Sequence, residues 1–276
     1  MKLVHKMKIN NLEIFLGKIQ RGEIALGACV TFADPAVTEL VCEAGFDFVW
    51  IDGEHGEMDR LSAMAHLMAV KGTHCASLYR VASCDHTEIK KIIDFAPAGV
   101  IVPMVMNADD ARRAVAACRY PPIGNRGCGF RRGLAYGAGD FNAYWEASKE
   151  DPLVIIQLEH IEAVRNLDEI LQVPGVGAIL IGPYDLSASM GQEGNWDAPE
   201  VQTVFEESSR KVREAGILLG VYTESQFDVW KRRGVQFMAI KNDTNALLLG
   251  LQEMKHRALG TSAVESRETV GGAAAQ

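Results

Sequence analysis

The chain contains 276 residues, of which 48% are hydrophobic and 23% are charged, and its formal net charge at pH 7 is −8. This composition supplies enough apolar residues for a sizeable core and excludes a chain that is disordered over its whole length. Because the chain is acidic and has no dense block of lysine or arginine, we expect a small-molecule substrate and neither a nucleic-acid nor a membrane partner.

The cysteines and the termini indicate the compartment and the domain limits. The six cysteines, at positions 29, 42, 75, 84, 118 and 128, lack the close pairs of a zinc knuckle and the density of a secreted disulfide scaffold. With neither an apolar leader nor an apolar run of about 18 residues, we expect a cytoplasmic protein. Residues 1–22 are predicted to form an N-terminal segment with a short helix, residues 23–259 one domain, and residues 260–276 a disordered tail.

Eight short apolar runs rich in valine, isoleucine and leucine recur along this domain, and amphipathic segments with helical spacing separate most of them. The predicted strands are 23–32, 46–51, 74–80, 99–104, 153–158, 176–181, 216–222 and 235–240. Glycines at the junctions, among them Gly45, Gly72, Gly99 and Gly216, are predicted to end helices in the left-handed conformation.

Strands that are apolar on both faces and alternate with helices indicate a parallel sheet covered on both sides. Eight such units in a chain of this length favour an α/β fold of the (β/α)8 TIM-barrel type, in a single domain, over an open doubly wound sheet. The connection 121–152 is unusually long, glycine-rich and basic. Its arginines, Arg126, Arg131 and Arg132, predict a lid over an anionic substrate or an oligomer contact.

Polar residues follow several predicted strands, at the barrel end where catalytic groups of this fold lie. They are Asp52, Glu54 and His55 after the second strand, Arg80 at the end of the third, Gln157 and Glu159 at the fifth, and Asp185 after the sixth. Taken singly, each fits a cap, a turn or a solvated charge equally well. Their common position at the strand ends favours an active site.

These residue types share one chemistry. Glu159 and Asp185 offer hard oxygen ligands for Mg²⁺ or Mn²⁺. Arg80 offers a planar fork for a carboxylate or an enolate oxygen. Asp52 and His55 can form a carboxylate-oriented imidazole that acts as a general base. A metal, a cation and a base predict enolate chemistry on a 2-oxo acid.

The segments that carry these residues resemble the HpcH/HpaI class II (metal-dependent) pyruvate aldolases, a family that includes 4-hydroxy-2-oxoheptanedioate aldolase and 2-keto-3-deoxy sugar-acid aldolases. The resemblance runs from about Leu16 to Leu259. It is carried by the strand-end Arg80 and by "GFDFVWIDGEHG", "VPMVMNADDARRAVAACRYPPIGNRGCG", "QLEHIEAVRNLDEIL" and "IGPYDLSASMG".

The resemblance implies a (β/α)8 barrel, often a trimer of dimers, whose eighth helix packs on a partner subunit. It implies that Glu159 and Asp185 bind Mg²⁺, Mn²⁺ or Co²⁺. Arg80 matches the residue that binds the substrate's keto oxygen, and Asp52 and His55 match the proton-transfer pair. Positions that match the surroundings of the metal waters and the substrate are Glu54, Gln157, Gly182, Pro183, Tyr184 and Cys29.

The sequence departs from this family at several positions. Cys29 replaces a tryptophan of the first strand, and Tyr184 replaces a small residue in the loop after the sixth strand. His160 follows the expected ligand Glu159, and Lys241 ends the eighth predicted strand. These changes leave the aldehyde substrate open but do not affect the expected metal and enolate chemistry.

We therefore expect a lyase that reversibly cleaves 4-hydroxy-2-oxo acids to pyruvate and an aldehyde through a metal-stabilised pyruvate enolate. Two alternatives use the same site, namely oxaloacetate decarboxylation and a macrophomate-synthase-like reaction. Two others are a Schiff-base enzyme that uses Lys241 and a non-catalytic barrel.

Overall fold

Eight parallel strands close into a barrel in the computed structural model, which describes residues 10–261. The strands follow chain order around the ring, and β1 pairs with both β2 and β8. They are β1 Ala25–Val30, β2 Phe48–Asp52, β3 Ala76–Arg80, β4 Gly99–Val102, β5 Leu153–Leu158, β6 Ala178–Ile181, β7 Leu218–Tyr222 and β8 Phe237–Asn242. The predicted (β/α)8 barrel is confirmed. The expectation of a disordered tail falls, from residue 262 onward, outside the described residues.

After α1, which precedes β1, helices follow the strands and form the outer layer of the barrel. They are α1 Leu12–Gln20, α2 Ala36–Glu43, α3 Arg60–Ala69, α4 His86–Ile93, α5 Ala108–Cys118, α6 Phe141–Ala147, α7 Ile161–Arg165, α8 Leu167–Ile170, α9 Pro183–Ser189, α10 Pro199–Glu214, α11 Phe227–Arg232 and α12 Asp243–Leu259, with a 3₁₀ helix at Arg132–Gly137. No helix within residues 10–261 is both long enough and apolar enough to cross a membrane.

Aromatic residues fill the N-terminal end of the barrel. Phe15 of α1 packs edge-on against Phe48 and Phe237, with 5.7 Å between ring centroids in each pair. Gly27 makes room for this cluster, because a Cβ there would lie 2.3 Å from the Phe48 ring. Since this end is filled, the C-terminal strand ends are the open end, where the predicted site residues lie.

The long connection 121–152 has its own small core. Arg126 is buried against the Tyr120 ring, 4.4 Å from the ring centroid, and lies 3.2 Å from the Tyr144 hydroxyl. Arg132 is also buried and donates two 2.7 Å hydrogen bonds to backbone carbonyls of Phe95 and Leu67. The prediction that these two arginines close over a substrate is therefore wrong, because both bind inside the protein.

Candidate active site

A cavity of about 320 Å³ opens at the C-terminal ends of the strands. The predicted site residues that line it are Cys29, Asp52, His55, Arg80, Gln157, Gly182, Pro183, Tyr184 and Asp185. Glu54 and Glu159 lie directly beside it, in contact with Arg80 and Gln157 respectively. The structure thus brings the whole predicted set together, from β1, β2, β3, β5 and the start of α9.

Arg80 is held in the cavity wall by a two-point contact with Asp52. The two residues are register partners at the ends of β3 and β2. Arg80 donates from Nε to Asp52 Oδ1 at 2.9 Å and from Nη2 to Oδ2 at 2.6 Å. Burial alone would raise the pKa of the Asp52 carboxyl, but the hydrogen bonds and charge of Arg80 outweigh burial and lower that pKa.

Three further groups fix the guanidinium group of Arg80. Its Nη1 lies 2.9 Å from Glu54 Oε2 and 3.5 Å from Gln157 Oε1. Its Cζ lies 4.9 Å from the centroid of the Trp50 ring, a cation–π contact. The plane of the fork is therefore set before any substrate arrives.

The expected pairing of the Asp52 carboxylate with the His55 imidazole does not form. Besides Arg80, Asp52 Oδ1 accepts the backbone N–H groups of Glu54 and His55, at 3.0 and 3.3 Å. These bonds shape the turn after β2. The imidazole Nε2 instead lies 3.9 Å from Glu54 Oε2, and its side chain is 67% exposed. Glu54 is thus the carboxylate next to the candidate base.

Glu159 is a buried carboxylate with few partners. Its Oε1 accepts the Met104 N–H at 2.7 Å, and its Oε2 accepts from the Gln157 amide. Burial, followed by the charges of Glu54 and Asp185, raises the pKa of the Glu159 carboxyl to about 7. A bound cation would offset the repulsion between the Glu159 carboxylate and these acidic neighbours.

The donor set fits a hard divalent cation held partly by the protein. Within residues 10–261, no group of three or more histidine, cysteine, aspartate or glutamate side chains is arranged to hold a metal ion. Magnesium and manganese sites often use one or two carboxylates and take their other oxygens from water and substrate. Glu159 and Asp185 provide such a pair, and the positive charge of Arg80 is already matched by Asp52.

Two residues that the sequence left unassigned have structural partners. His160 precedes α7, and its Nδ1 accepts the Glu162 N–H at 3.2 Å, which caps the helix. Lys241 Nζ lies 3.4 Å from Glu224 Oε2, and Lys241 does not line the cavity described above. Neither contact requires a catalytic role.

Sequence reasoning missed four residues that line the cavity: Thr31, Trp50, Tyr222 and Asn242. Trp50 could have been found, because it lies two residues before Asp52 in one strand and so points to the same face. Tyr222 and Asn242 are the last residues of β7 and β8. The rule that strand ends line the site applies to them as it does to Arg80.

Comparison with known proteins assigns the chain to a family. Residues 27–247 match the family model described as HpcH/HpaI aldolase/citrate lyase. The chain is 35% identical over 248 residues to a hydroxypyruvate/pyruvate aldolase from Pseudomonas aeruginosa, covering 89% of this chain and 92% of that protein. It is 34% identical over 245 residues to a 4-hydroxy-2-oxo-heptane-1,7-dioate aldolase from Shigella sonnei, covering 88% and 94%.

A solved structure agrees with this assignment. The crystal structure of an HpcH/HpaI aldolase from Desulfitobacterium hafniense superposes with a TM-score of 0.82 at 25% identity, covering 90% of this chain and 97% of that one. The family match covers most of the chain, and the matched segment contains every residue of the site described above. The chain therefore belongs to the HpcH/HpaI aldolase/citrate lyase family.

Proposed function

We propose that this protein is a divalent-metal-dependent aldolase that reversibly cleaves 4-hydroxy-2-oxo acids to pyruvate, or a closely related 2-oxo acid, and an aldehyde. The observation that carries the proposal is the rigid Arg80 fork in a cavity that also contains Asp185 and borders the buried Glu159. An enolate is stabilised by positive charge on its oxygen. Arg80 supplies one fixed positive charge, and the neighbouring carboxylates Glu159 and Asp185 can hold a metal ion as the second.

The cleavage needs no redox partner. A base removes the proton of the 4-hydroxyl group, the C3–C4 bond breaks, and its electron pair forms the enolate as the aldehyde leaves. Protonation at C3 then gives the 2-oxo acid. We assign the first proton transfer to His55, whose exposed imidazole lines the cavity, and the enolate oxygen to Arg80. Glu54 contacts Arg80 and faces the His55 imidazole, so it can hold both in place.

We assign a divalent ion to Glu159 and Asp185. When bound, such an ion supplies positive charge next to the carboxylate and keto oxygens of the 2-oxo acid. Gln157 donates to Glu159 and orients that carboxylate. Gly182 gives the carboxylate room, because a Cβ at this position would lie 3.1 Å from the Cβ of Glu159.

Removal of metal is expected to abolish pyruvate release, and Mg²⁺, Mn²⁺ or Co²⁺ is expected to restore it. Glu159→Gln should lose both activity and metal, because an amide is a weaker ligand for a hard cation than a carboxylate. Metal content after gel filtration gives a readout separate from turnover. Glu162→Gln, an exposed change on α7, is the matched control and should keep both. Full activity after exhaustive chelation, or pyruvate trapped on Lys241 by borohydride, would refute the metal mechanism.

We also propose that α12 packs on a second subunit in a homo-oligomer, a trimer of dimers being the arrangement the resemblance implies. Asp243 anchors the start of this helix by accepting the N–H groups of Thr31 and Phe32, at 2.8 and 2.9 Å. Beyond this anchor the helix exposes a run of large apolar residues, Leu247, Leu248, Leu249, Leu251, Met254 and Leu259. An apolar face of this size in a soluble protein usually marks an interface.

Charge on this face is expected to disrupt the assembly. Leu248→Glu combined with Leu251→Glu should lower the sedimentation coefficient, because two carboxylates would have to be buried in an apolar contact. Leu61→Glu, on the exposed surface of α3, is the control and should sediment like the parent protein. An unchanged sedimentation coefficient in the double variant would remove α12 from the interface.

A further inference from the structure

Three aromatic side chains, Trp50, Tyr184 and Tyr222, line the cavity and are called here the aromatic wall. Tyr222 ends β7, which lies across the closed barrel from β3, the strand of Arg80. The Tyr222 ring packs edge-on against Trp50, with 5.9 Å between ring centroids. Cys29 is the register partner of Trp50 on β1 and adds little bulk to the cavity. Flat aromatic surfaces therefore border part of the cavity.

Tyr184 is held in place by ring stacking. It lies in the first turn of α9, next to Asp185, and stacks on Trp196 with 4.6 Å between centroids and 27° between planes. Gly194 backs the ring, since a Cβ there would lie 3.9 Å from Tyr184 Cδ1. Tyr184 is nevertheless 46% exposed. A ring fixed by stacking but still half open is suited to contact a second planar group.

The ionic groups next to the aromatic wall are paired with each other. The Tyr222 hydroxyl donates to Glu224 Oε1 at 2.9 Å. The nearby Lys241 ammonium is paired with Glu224 Oε2. Among the lining residues that the structure describes, Arg80 is the only lysine or arginine, and it faces Asp52 and Glu54.

We infer that the aldehyde partner of this enzyme is an uncharged aromatic aldehyde and not an aldehyde that carries a second carboxylate. This inference rests on the proposed aldolase function. A benzaldehyde-type ring would lie against Tyr184 and Tyr222, with its carbonyl carbon towards C3 of the enolate. A distal carboxylate would find no unpaired lysine or arginine among the lining residues that the structure describes, because Arg80 already contacts Asp52 and Glu54. The aromatic wall therefore favours a planar ring, and the lack of an unpaired lysine or arginine among the described lining residues disfavours a second carboxylate.

The experiment compares aldehydes in the addition of pyruvate, with kcat/KM measured for benzaldehyde, cyclohexanecarboxaldehyde, acetaldehyde and succinic semialdehyde. Wild-type protein should prefer benzaldehyde to the saturated ring and to the semialdehyde. Tyr184→Ala should lower kcat/KM for benzaldehyde by about 10-fold, while the value for acetaldehyde stays within about twofold. Tyr136→Ala, at an exposed tyrosine that does not line the cavity, should leave the ranking unchanged.

Glu224→Gln tests the charge separately. The amide oxygen can still accept the Tyr222 hydroxyl, so the aromatic wall keeps its support, while Lys241 loses its carboxylate partner and becomes an unpaired cation. The ratio of kcat/KM for succinic semialdehyde to that for benzaldehyde should rise by roughly fivefold or more. Glu146→Gln, at an exposed glutamate on α6, should not change this ratio.

Exchange of the pyruvate C3 protons with deuterium needs no aldehyde and reports on the enolate alone. If the wild-type protein exchanges these protons but prefers succinic semialdehyde to benzaldehyde, the inference is wrong and the aldolase function stands. The same conclusion follows if Tyr184→Ala lowers kcat/KM equally for all aldehydes. No exchange in metal-loaded wild-type protein would overturn the proposed function, and the inference with it.

Discussion

Arg80→Lys is expected to slow every reaction that passes through the pyruvate enolate, by about 100-fold or more. Lysine keeps the positive charge but replaces the planar fork with a single ammonium group. That group cannot bind both oxygens of Asp52 and also reach Glu54, contacts that Arg80 makes at once. Aldol cleavage, oxaloacetate decarboxylation and exchange of pyruvate C3 protons should therefore fall together.

The Arg80 variant needs a control for loss of structure, because it also leaves Asp52 buried with a weaker partner. Removing one member of a buried pair typically costs about 3–5 kcal/mol of stability. Urea unfolding and metal content should be measured beside the rates, and Arg112→Lys, at an exposed arginine of α5, serves as the matched variant. If Arg80→Lys is folded, holds metal and exchanges pyruvate protons at the parental rate, Arg80 does not bind the enolate oxygen.

The fold was predictable from sequence because a parallel strand covered on both faces must be apolar throughout. The run 153–158 corresponds to β5, Leu153–Leu158. The run 235–240 was placed two residues too early, since β8 is Phe237–Asn242 and ends in the polar residues Lys241 and Asn242. Backbone pairing continues there, with Asn242 in register with Cys29. Polar strand ends are invisible to a search for apolar runs, which is also why Asn242 was missed as a cavity residue.

Glycine placement shows the limit of local patterns. Gly45, Gly72 and Gly216 have positive φ, as expected for residues that end helices. Gly99 instead begins β4, where a Cβ would lie 2.7 Å from Leu78 Cδ2, and the left-handed residue at this junction is Ala96, with φ of 54°. The glycine is needed for packing between strands, which an alanine-glycine pair in the sequence does not reveal.

The site residues were predictable, but their pairing was not. Asp52 and His55 are close in the chain, and this closeness suggested a carboxylate–imidazole pair. The register of β2 and β3 instead places Asp52 opposite Arg80. Register depends on the whole barrel, so a partner 28 residues away could not be chosen from the sequence alone. As a result Glu54, and not Asp52, is the carboxylate next to the candidate base.

His55→Ala is expected to impair aldol cleavage by about 100- to 10,000-fold while leaving oxaloacetate decarboxylation much less affected. Cleavage requires removal of the 4-hydroxyl proton, whereas decarboxylation forms the same enolate without that step. Glu54 contacts both Arg80 and the exposed His55 imidazole. From this position the imidazole can reach a substrate hydroxyl directly or through water. The informative quantity is the ratio of the two rates in one preparation, with metal content measured.

Glu54→Gln gives the comparison that separates His55 from its neighbour. The variant keeps an oxygen near Arg80 Nη1 but removes the negative charge beside the imidazole, so cleavage should fall less than in His55→Ala. His160→Ala, at the histidine that caps α7, is the control for loss of a histidine and should keep the parental ratio of cleavage to decarboxylation. Equal losses of both reactions in His55→Ala would mean that this histidine serves the enolate step, and the assignment of His55 as the base for the 4-hydroxyl proton would have to be withdrawn.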